Sequence, residues 1–488
     1  MARWSSRFGF LLATVGAAVG LGNIWRFSAV VGTNGGGAYL LPYLFAVFVL
    51  AVPLLVLELA VGRTLRTDVV SAFRAVGERY AVLGIAVVAG VVLVVSYYLV
   101  LTGWVLAFLL GALAGVERSF TALTAGWEPI VTFLVVTVLS GATVSLGVSD
   151  GIERLAKLVM PTVFLILLGL AVYVVTLPGW FPAVSFLFTP EFDVLADPRL
   201  WSAAFGQAFF SLSVGMGIML TYGSYLDEGT DLLRSSVIVA AADVAVALVS
   251  GVVIFPIVFS YGFEPTLGTE LAFVTLPAAF AAMPFGRVVA VAFFGLLFFA
   301  ALTSVVSMVE VAVATLTSAT SWDRPRATAV LTAGLCVLGL PSALSYSPVD
   351  LALGGRPVLD IVDESVGTFG LPISAVLIVA VFAWRWGETA PRRELGALWP
   401  LVRYVTPLVL LTATAMKAVG LARPAWRLLL DHARNGSSSA LVGGLFGGAG
   451  LLPLLAVLLI GGAVTSVLGV VLWSRGILTT KRRQREGQ

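Results

Sequence analysis

The sequence predicts an all-α polytopic membrane protein of twelve transmembrane helices, and three observations carry that prediction. Hydrophobic residues make up 59% of the 488 and charged residues only 11%, with a mean hydropathy of +1.03; an ordinary soluble domain carries about a quarter charged residues. The apolar residues gather into long runs, and roughly 20 in succession cross the hydrocarbon core of a bilayer. The basic residues sit in short clusters between those runs, where they orient helices in a membrane.

In chain order the candidate spans cover about 8–29, 38–61, 80–112, 128–147, 152–176, 200–226, 232–261, 285–318, 327–343, 365–384, 402–421 and 446–474. The first run begins around Phe8 and is long enough to remain in the membrane rather than act as a cleaved signal. Arg63, Arg66, Arg74 and Arg79 lie between the second and third spans, and Arg385, Arg392, Arg393 and Arg403 around the tenth and eleventh. Lys481, Arg482, Arg483 and Arg485 follow the twelfth. Twelve crossings put all of these on one side with Arg3 and Arg7. The positive-inside rule makes that side the cytoplasm, termini included. The net charge of +3 is thereby accounted for by topology, and no nucleic-acid partner is expected.

A single cysteine, Cys336, and a single histidine, His432, exclude an internal disulfide, a Cys–His metal site and a Cys–His nucleophile pair. Cys336 lies in an apolar run and is expected to be a buried small hydrophobe. An enzyme embedded at this depth would need a nucleophile or metal cluster that neither residue can build, so no enzymatic activity is expected.

Two spans carry breaks. The first contains Gly16-Ala17-Ala18-Val19-Gly20-Leu21-Gly22-Asn23 and the sixth Ser211-Leu212-Ser213-Val214-Gly215-Met216-Gly217. Both hold Val-Gly-x-Gly at mid-run, five spans apart, so they cross in opposite directions. Glycine also serves close helix packing, but its recurrence at corresponding positions is the mark of inverted repeats with the binding site at paired interrupted helices. Unwound backbone at mid-membrane is tolerated only where it lines a cavity. Half-helix N-termini suit a carboxylate and freed carbonyls suit sodium, so the pair reads as a site for a zwitterion and small cations. Ionisable residues inside spans add to the pattern, because each is costly unless paired or hydrated. Arg26, Glu58, Asp243, Glu310 and Asp363 are of this kind; Glu58 is expected to be structural and Asp243 functional.

Gly16 to Phe27 (GAAVGLGNIWRF) and Asn34-Gly35-Gly36-Gly37-Ala38 resemble the signature of the neurotransmitter:sodium symporter family. The likeness continues through Gly151-Ile152-Glu153-Arg154, Gln207-Ala208-Phe209-Phe210-Ser211-Leu212-Ser213-Val214-Gly215 and Phe299-Ala300-Ala301-Leu302-Thr303-Ser304. It implies the leucine-transporter-like fold: a first five-helix repeat over 1–176, an inverted second one over 200–384, accessory helices 11 and 12 over 402–474, and a basic tail over 475–488. It also implies sodium-coupled import of an amino acid across the cell membrane, the prokaryotic amino-acid branch being the nearest likeness.

The resemblance carries over site residues one by one. One sodium site would use Ala18, Asn23, Ser211 and Asp243 together with the substrate carboxylate; the other would use Gly16, Val19, Ala300, Thr303 and Ser304, and two ions are expected. Asp243 stands where many relatives have Asn, and Ala247 where chloride-independent relatives often carry a carboxylate. Tyr43, Gln207 and Ser211 match chloride-site positions. Asp243 is therefore expected to supply the compensating charge itself, so that chloride is not required; it could also bind a proton. The substrate would meet Ala17, Ala18, Gly20, Leu21, Gly22, Val94, Tyr98, Phe210, Ser211, Ser213, Met216, Ser304 and Met308. Monoamine carriers place Asp where Gly20 stands, so the substrate here is expected to bring its own carboxylate to Tyr98, under Phe210 as a lid. Met216 and Met308 make the side-chain pocket apolar and adaptable, which fits a neutral, hydrophobic L-amino acid.

For the gates the resemblance implies an outer pair of Arg26 with Asp363, with Asp360 as a rival partner, and an inner gate around Trp4 and Tyr225. The inner gate departs from the family: its usual Arg falls at Met1 and its Asp at Ser318, leaving Arg3 with Tyr225, Ser224 or Glu310. The alternative function is a sodium-dependent amino-acid sensor or channel on the same scaffold. Monomer and homodimer are both open.

Overall fold

The computed structural model describes residues 3–263, 270–386 and 390–419. The twelfth expected span, the basic tail and His432 lie outside these residues. Among the described residues nine helices are long and apolar enough to cross a membrane: Gly36–Leu65, Glu78–Ala114, Glu128–Ser145, Val148–Val174, Leu232–Ser260, Gly286–Ala319, Arg324–Leu344, Val358–Arg385 and Leu401–Val419. Span 1 is a further crossing made of two halves, 1a (Arg7–Ala18) and 1b (Gly22–Thr33), bent by 55°. Span 6 is likewise split into 6a (Pro198–Ser211) and 6b (Ile218–Ser224), each too short to cross alone. Numbered in chain order, the helices above supply spans 2–5 and 7–11.

Local sequence explains where helices start. Ser6, Asp68, Asp197, Asp231 and Asp323 stand at N-caps, each side-chain oxygen accepting a backbone N–H of the first turn. Spans 3 and 8 are apolar on every face because they are buried on nearly every face. They pack along one another, with spans 4 and 9 beside them, while span 2 packs on 6b and 7, and 1a on 5, 7 and 8. Leu158, Leu165 and Val172 on span 5, Val131, Val135 and Val138 on span 4 and Val337 on span 9 are exposed. Large apolar side chains facing outward along whole helices belong against lipid.

Several boundaries differ from expectation. Span 10 begins at Val358 rather than near 365, placing Asp360 and Asp363 within the helix, and it widens into π-type turns over Asp363–Gly370. Cys336 is half-buried on span 9 rather than fully buried. Two connectors form helices of their own, Trp180–Phe188 and Leu271–Ala282, and a short antiparallel hairpin pairs Ala352–Leu353 with Arg356–Pro357.

Candidate functional site

The breaks in spans 1 and 6 face each other inside the bundle. In span 6 the chain crosses 212–217 with positive φ at Ser213 (53°), Gly215 (86°) and Gly217 (69°). Two of the three are glycines, which reach this region without a Cβ penalty. Gly215 is held on both backbone groups: its N–H donates to Glu58 Oε1 at 2.6 Å and its carbonyl accepts from Ser374 Oγ at 2.5 Å. Glu58 is thus a scaffold of the break, satisfying a donor that an intact helix would have used. In span 1 the Gly22 carbonyl accepts from Gln207 Nε2 at 2.7 Å.

Asn23, Ser211 and Asp243 meet at the heart of the site, all fully buried. Asn23 Nδ2 donates to Asp243 Oδ1 at 2.6 Å and to Ser211 Oγ at 2.8 Å, and Ser211 Oγ donates to Asp243 Oδ2 at 2.8 Å. Asn23 Oδ1 accepts from the Gly20 N–H at 3.0 Å. The positive end of the amide therefore lies against the carboxylate; turning the amide over would present Oδ1 instead, an orientation set by the local hydrogen bonds. Three hard oxygens from Asn23, Ser211 and Asp243 are then available to a cation, a donor set that suits sodium.

A second group of oxygens gathers between 1a and span 8. Ser304 Oγ lies 3.2 Å from the carbonyls of Val19 and Ala300 and 3.5 Å from that of Gly16, and Thr303 Oγ1 lies 3.0 Å from the Ala300 carbonyl. All five residues carried over for this site are brought together, and none of their oxygens bears a formal charge.

Between these groups a narrow cavity of about 20 Å³ is lined by Ala18, Gly20, Gly22, Val94, Tyr98, Phe210, Ser211, Ser213, Met216, Ser304 and Met308. Ala17 and Leu21 contribute backbone instead: Ser213 Oγ donates to the Ala17 carbonyl at 2.8 Å, and the Leu21 N–H donates to the Tyr98 phenol at 3.0 Å. A Cβ added at Gly20 would lie 2.6 Å from Ser304 Oγ and 2.8 Å from the Tyr98 phenol, so glycine is required for this close approach. A larger cavity of about 400 Å³ lies between spans 3 and 8 and the helix Leu271–Ala282, away from both breaks. Its polar lining is Glu117, Arg118, Ser119 and Arg287, which belong to neither break.

On the side away from the N-terminus, Phe210 covers the cavity and the Arg26 guanidinium rests on its ring, 4.2 Å from the centroid. Arg26 and Asp363 make no direct ion pair; Asp360 instead accepts from the Tyr346 phenol at 3.0 Å. On the N-terminal side Trp4 is buried, donates from Nε1 to the Tyr222 carbonyl at 3.1 Å and packs edge-on against Tyr222 and Tyr225. Arg3 reaches Asp227 at 3.4 Å, an exposed pair, and not Tyr225, Ser224 or Glu310. The buried charge there is Glu310, which accepts from Tyr225 at 2.6 Å and pairs with Arg324 at the start of span 9. A second tie holds the N-terminal segment: Glu153 accepts from the Ser5 N–H at 2.7 Å and pairs with Lys157 at 2.7 Å. Sequence reasoning overlooked Arg324 and Lys157. Arg324 had a signal, since it begins a helix beside a buried acid that lacked a partner.

Two oppositely directed broken helices, meeting inside an apolar bundle around a carboxylate, hydroxyls and freed carbonyls, define a secondary transporter. The chain belongs to the sodium:neurotransmitter symporter family, whose profile matches residues 1–121 and 116–396. It is 36% identical over 436 residues to an uncharacterized sodium-dependent transporter, YhdH, of Bacillus subtilis, covering 84% of this chain and 96% of that one. An uncharacterized sodium-dependent transporter of Methanocaldococcus jannaschii is 32% identical over 84% of this chain and 89% of its own length. Among solved structures, that of MhsT in complex with L-phenylalanine superposes with a TM-score of 0.78 at 36% identity, covering 85% of this chain and 99% of that chain. The fold is the leucine-transporter-like one, with spans 1 and 6 unwound.

Proposed function

We propose that the protein is a sodium-coupled symporter that imports a neutral, hydrophobic L-amino acid by alternating access, without a requirement for chloride. The observation that carries this reading is the meeting of Asp243, Ser211 and Asn23 at the two breaks, beside a cavity lined by Gly20, Tyr98, Met216 and Met308 among others. The similar structure's bound L-phenylalanine gives the substrate class its first candidate.

In this reading one sodium binds Ala18, Asn23, Ser211 and Asp243 and shares the substrate carboxylate; a second binds Gly16, Val19, Ala300, Thr303 and Ser304. The Asp243 charge stands in for chloride. The amino acid sets its carboxylate between the half-helix N-terminus of span 1b and the Tyr98 phenol, releasing the Leu21 N–H, while Phe210 closes above. Spans 1, 2, 6 and 7 then rock against 3, 4, 8 and 9. The Arg324–Glu310–Tyr225 contact and the Trp4 plug hold the N-terminal side closed and must part for release. That side is the cytoplasm of a cell whose inward potential drives the step, at about 2.3 kcal/mol per charge per 100 mV. The two five-helix repeats cover 1–176 and 200–384.

The test is uptake of radiolabelled L-amino acids into proteoliposomes under an inward sodium gradient, with potassium as the control and gluconate replacing chloride. Sodium-driven accumulation of a hydrophobic amino acid that survives chloride removal supports the reading. Binding without accumulation refutes it in favour of a sensor.

A further inference from the structure

Span 11 carries a lysine at an unusual place. Along this helix Leu410, Ala413, Thr414 and Lys417 form the stripe turned toward the protein, whereas Leu411, Met416, Ala418 and Val419 are exposed. The spacing of three and four residues is one helical face. That face rests on 6a, where Ser202 Oγ approaches the Ala413 carbonyl at 3.5 Å. One turn further along 6a stands Gly206, and a Cβ there would lie 3.2 Å from Lys417 Nζ. The absent side chain lets the ammonium lie over the 6a backbone, one turn before Phe210.

A lysine near the end of a transmembrane helix ordinarily stretches its charge outward to the headgroups. Lys417 instead turns inward and comes within the electrostatic field of both Arg26 and Asp363. Arg26 lies on the Phe210 ring. Neither Arg26 nor Lys417 forms a direct ion pair among the described residues. Lys417 thus adds a second cation beside Arg26 on the approach to Phe210, and a positive group there attracts anionic groups and repels cations.

We propose that Lys417 is a specificity-determining residue of the entry path: with Arg26 it draws in the substrate's α-carboxylate, at the cost of repelling sodium and amines that lack a carboxylate. The proposal deepens the symporter reading and rests on it. Removing the charge has a signature that structural damage does not share. Capture of the amino acid weakens while capture of sodium improves.

The experiment is initial-rate uptake of L-phenylalanine by the full chain in proteoliposomes, for wild type, Lys417→Gln and Lys417→Arg. It is run at several sodium concentrations, with N-methyl-D-glucamine holding ionic strength constant. Lys417→Gln is expected to lower kcat/KM for L-phenylalanine about three- to tenfold, up to the lower bound of electrostatic steering by a whole charged cleft, as suits the loss of one charge. The sodium concentration for half-maximal rate should fall in the same variant, and Lys417→Arg should restore both. Lys417→Met, with a similar unbranched stem, serves if the Gln variant fails to fold. Unchanged constants, or both constants worsening together, overturn the proposal while leaving the symporter reading intact. A wild-type protein with no sodium-dependent uptake of L-phenylalanine or of any other hydrophobic L-amino acid overturns both.

Discussion

Replacing Asp243 by asparagine removes a formal charge while keeping the shape of the side chain. The new amide would retain one oxygen to accept from Asn23 Nδ2, now at 2.6 Å, and its nitrogen would donate to Ser211 Oγ where the hydroxyl now donates at 2.8 Å. The Ser211 hydroxyl keeps Oδ1 within 3.0 Å as an acceptor and the side chain keeps its volume, so the variant is expected to fold. The loss falls on the cation. Two unit charges 4 Å apart attract by about 4 kcal/mol at an effective dielectric of 20. Part of that is already offset by desolvation of the carboxylate, which is fully buried in a site without a cationic side chain. About 1.5–3 kcal/mol is then expected in the apparent sodium affinity, or roughly 10- to 100-fold, since 1.4 kcal/mol corresponds to tenfold. A small anion beside the site, accepting from the hydroxyls of Tyr43 and Ser211, could replace the missing charge. The assay is sodium-dependent binding of L-phenylalanine to purified protein, with chloride or gluconate as the anion. The expected result is a variant that needs more sodium and regains part of its affinity in chloride. Sodium affinity within twofold of wild type, with no response to chloride, would refute the assignment of Asp243 as both ligand and counter-charge.

Other perturbations reach other parts of the site. Gly20→Ala places a methyl against Ser304 Oγ and the Tyr98 phenol; overpacking costs about 1–3 kcal/mol of stability, so the melting temperature should fall modestly, and substrate affinity, read by binding, should fall at least several-fold because the methyl occupies the site. Arg324→Ala leaves Glu310 buried and unpaired, a loss of about 3–5 kcal/mol. Its melting temperature should drop, and the double variant with Glu310→Gln should recover most of it. Glu58→Leu leaves the Gly215 N–H without its acceptor, at about 1–3 kcal/mol, whereas Glu58→Gln should stay near wild type in sodium-dependent binding. Thr303→Ala should raise the sodium requirement without creating any chloride effect, which separates the two ion sites in the same assay.

The Val-Gly-x-Gly pairs at 16–23 and 211–217, the apolar runs and the basic connectors together specify a bundle with two broken helices. They do so because lipid leaves a chain few options: a run without polar side chains must be helical, and a break must line a cavity. Oxygen donors were legible for a related reason. Asn23, Ser211, Thr303 and Ser304 stand inside motifs long enough to align without a structure, and Asp243 stands out as an ionisable residue inside a span. Three-dimensional pairing was not legible. Glu58 finds Gly215, a residue 157 positions away, and Arg324 rather than Arg3 serves Glu310. Such partners are chosen by which helices touch, and no local pattern encodes that. The same holds for Lys417, which looks like an ordinary helix-end lysine until the packing of span 11 on 6a turns it inward over Gly206. The sequence by itself determined the class of protein and its character as a membrane-spanning helical bundle. Only the tertiary structure decided which buried charge answers which, because that depends on distances between helices far apart in the chain.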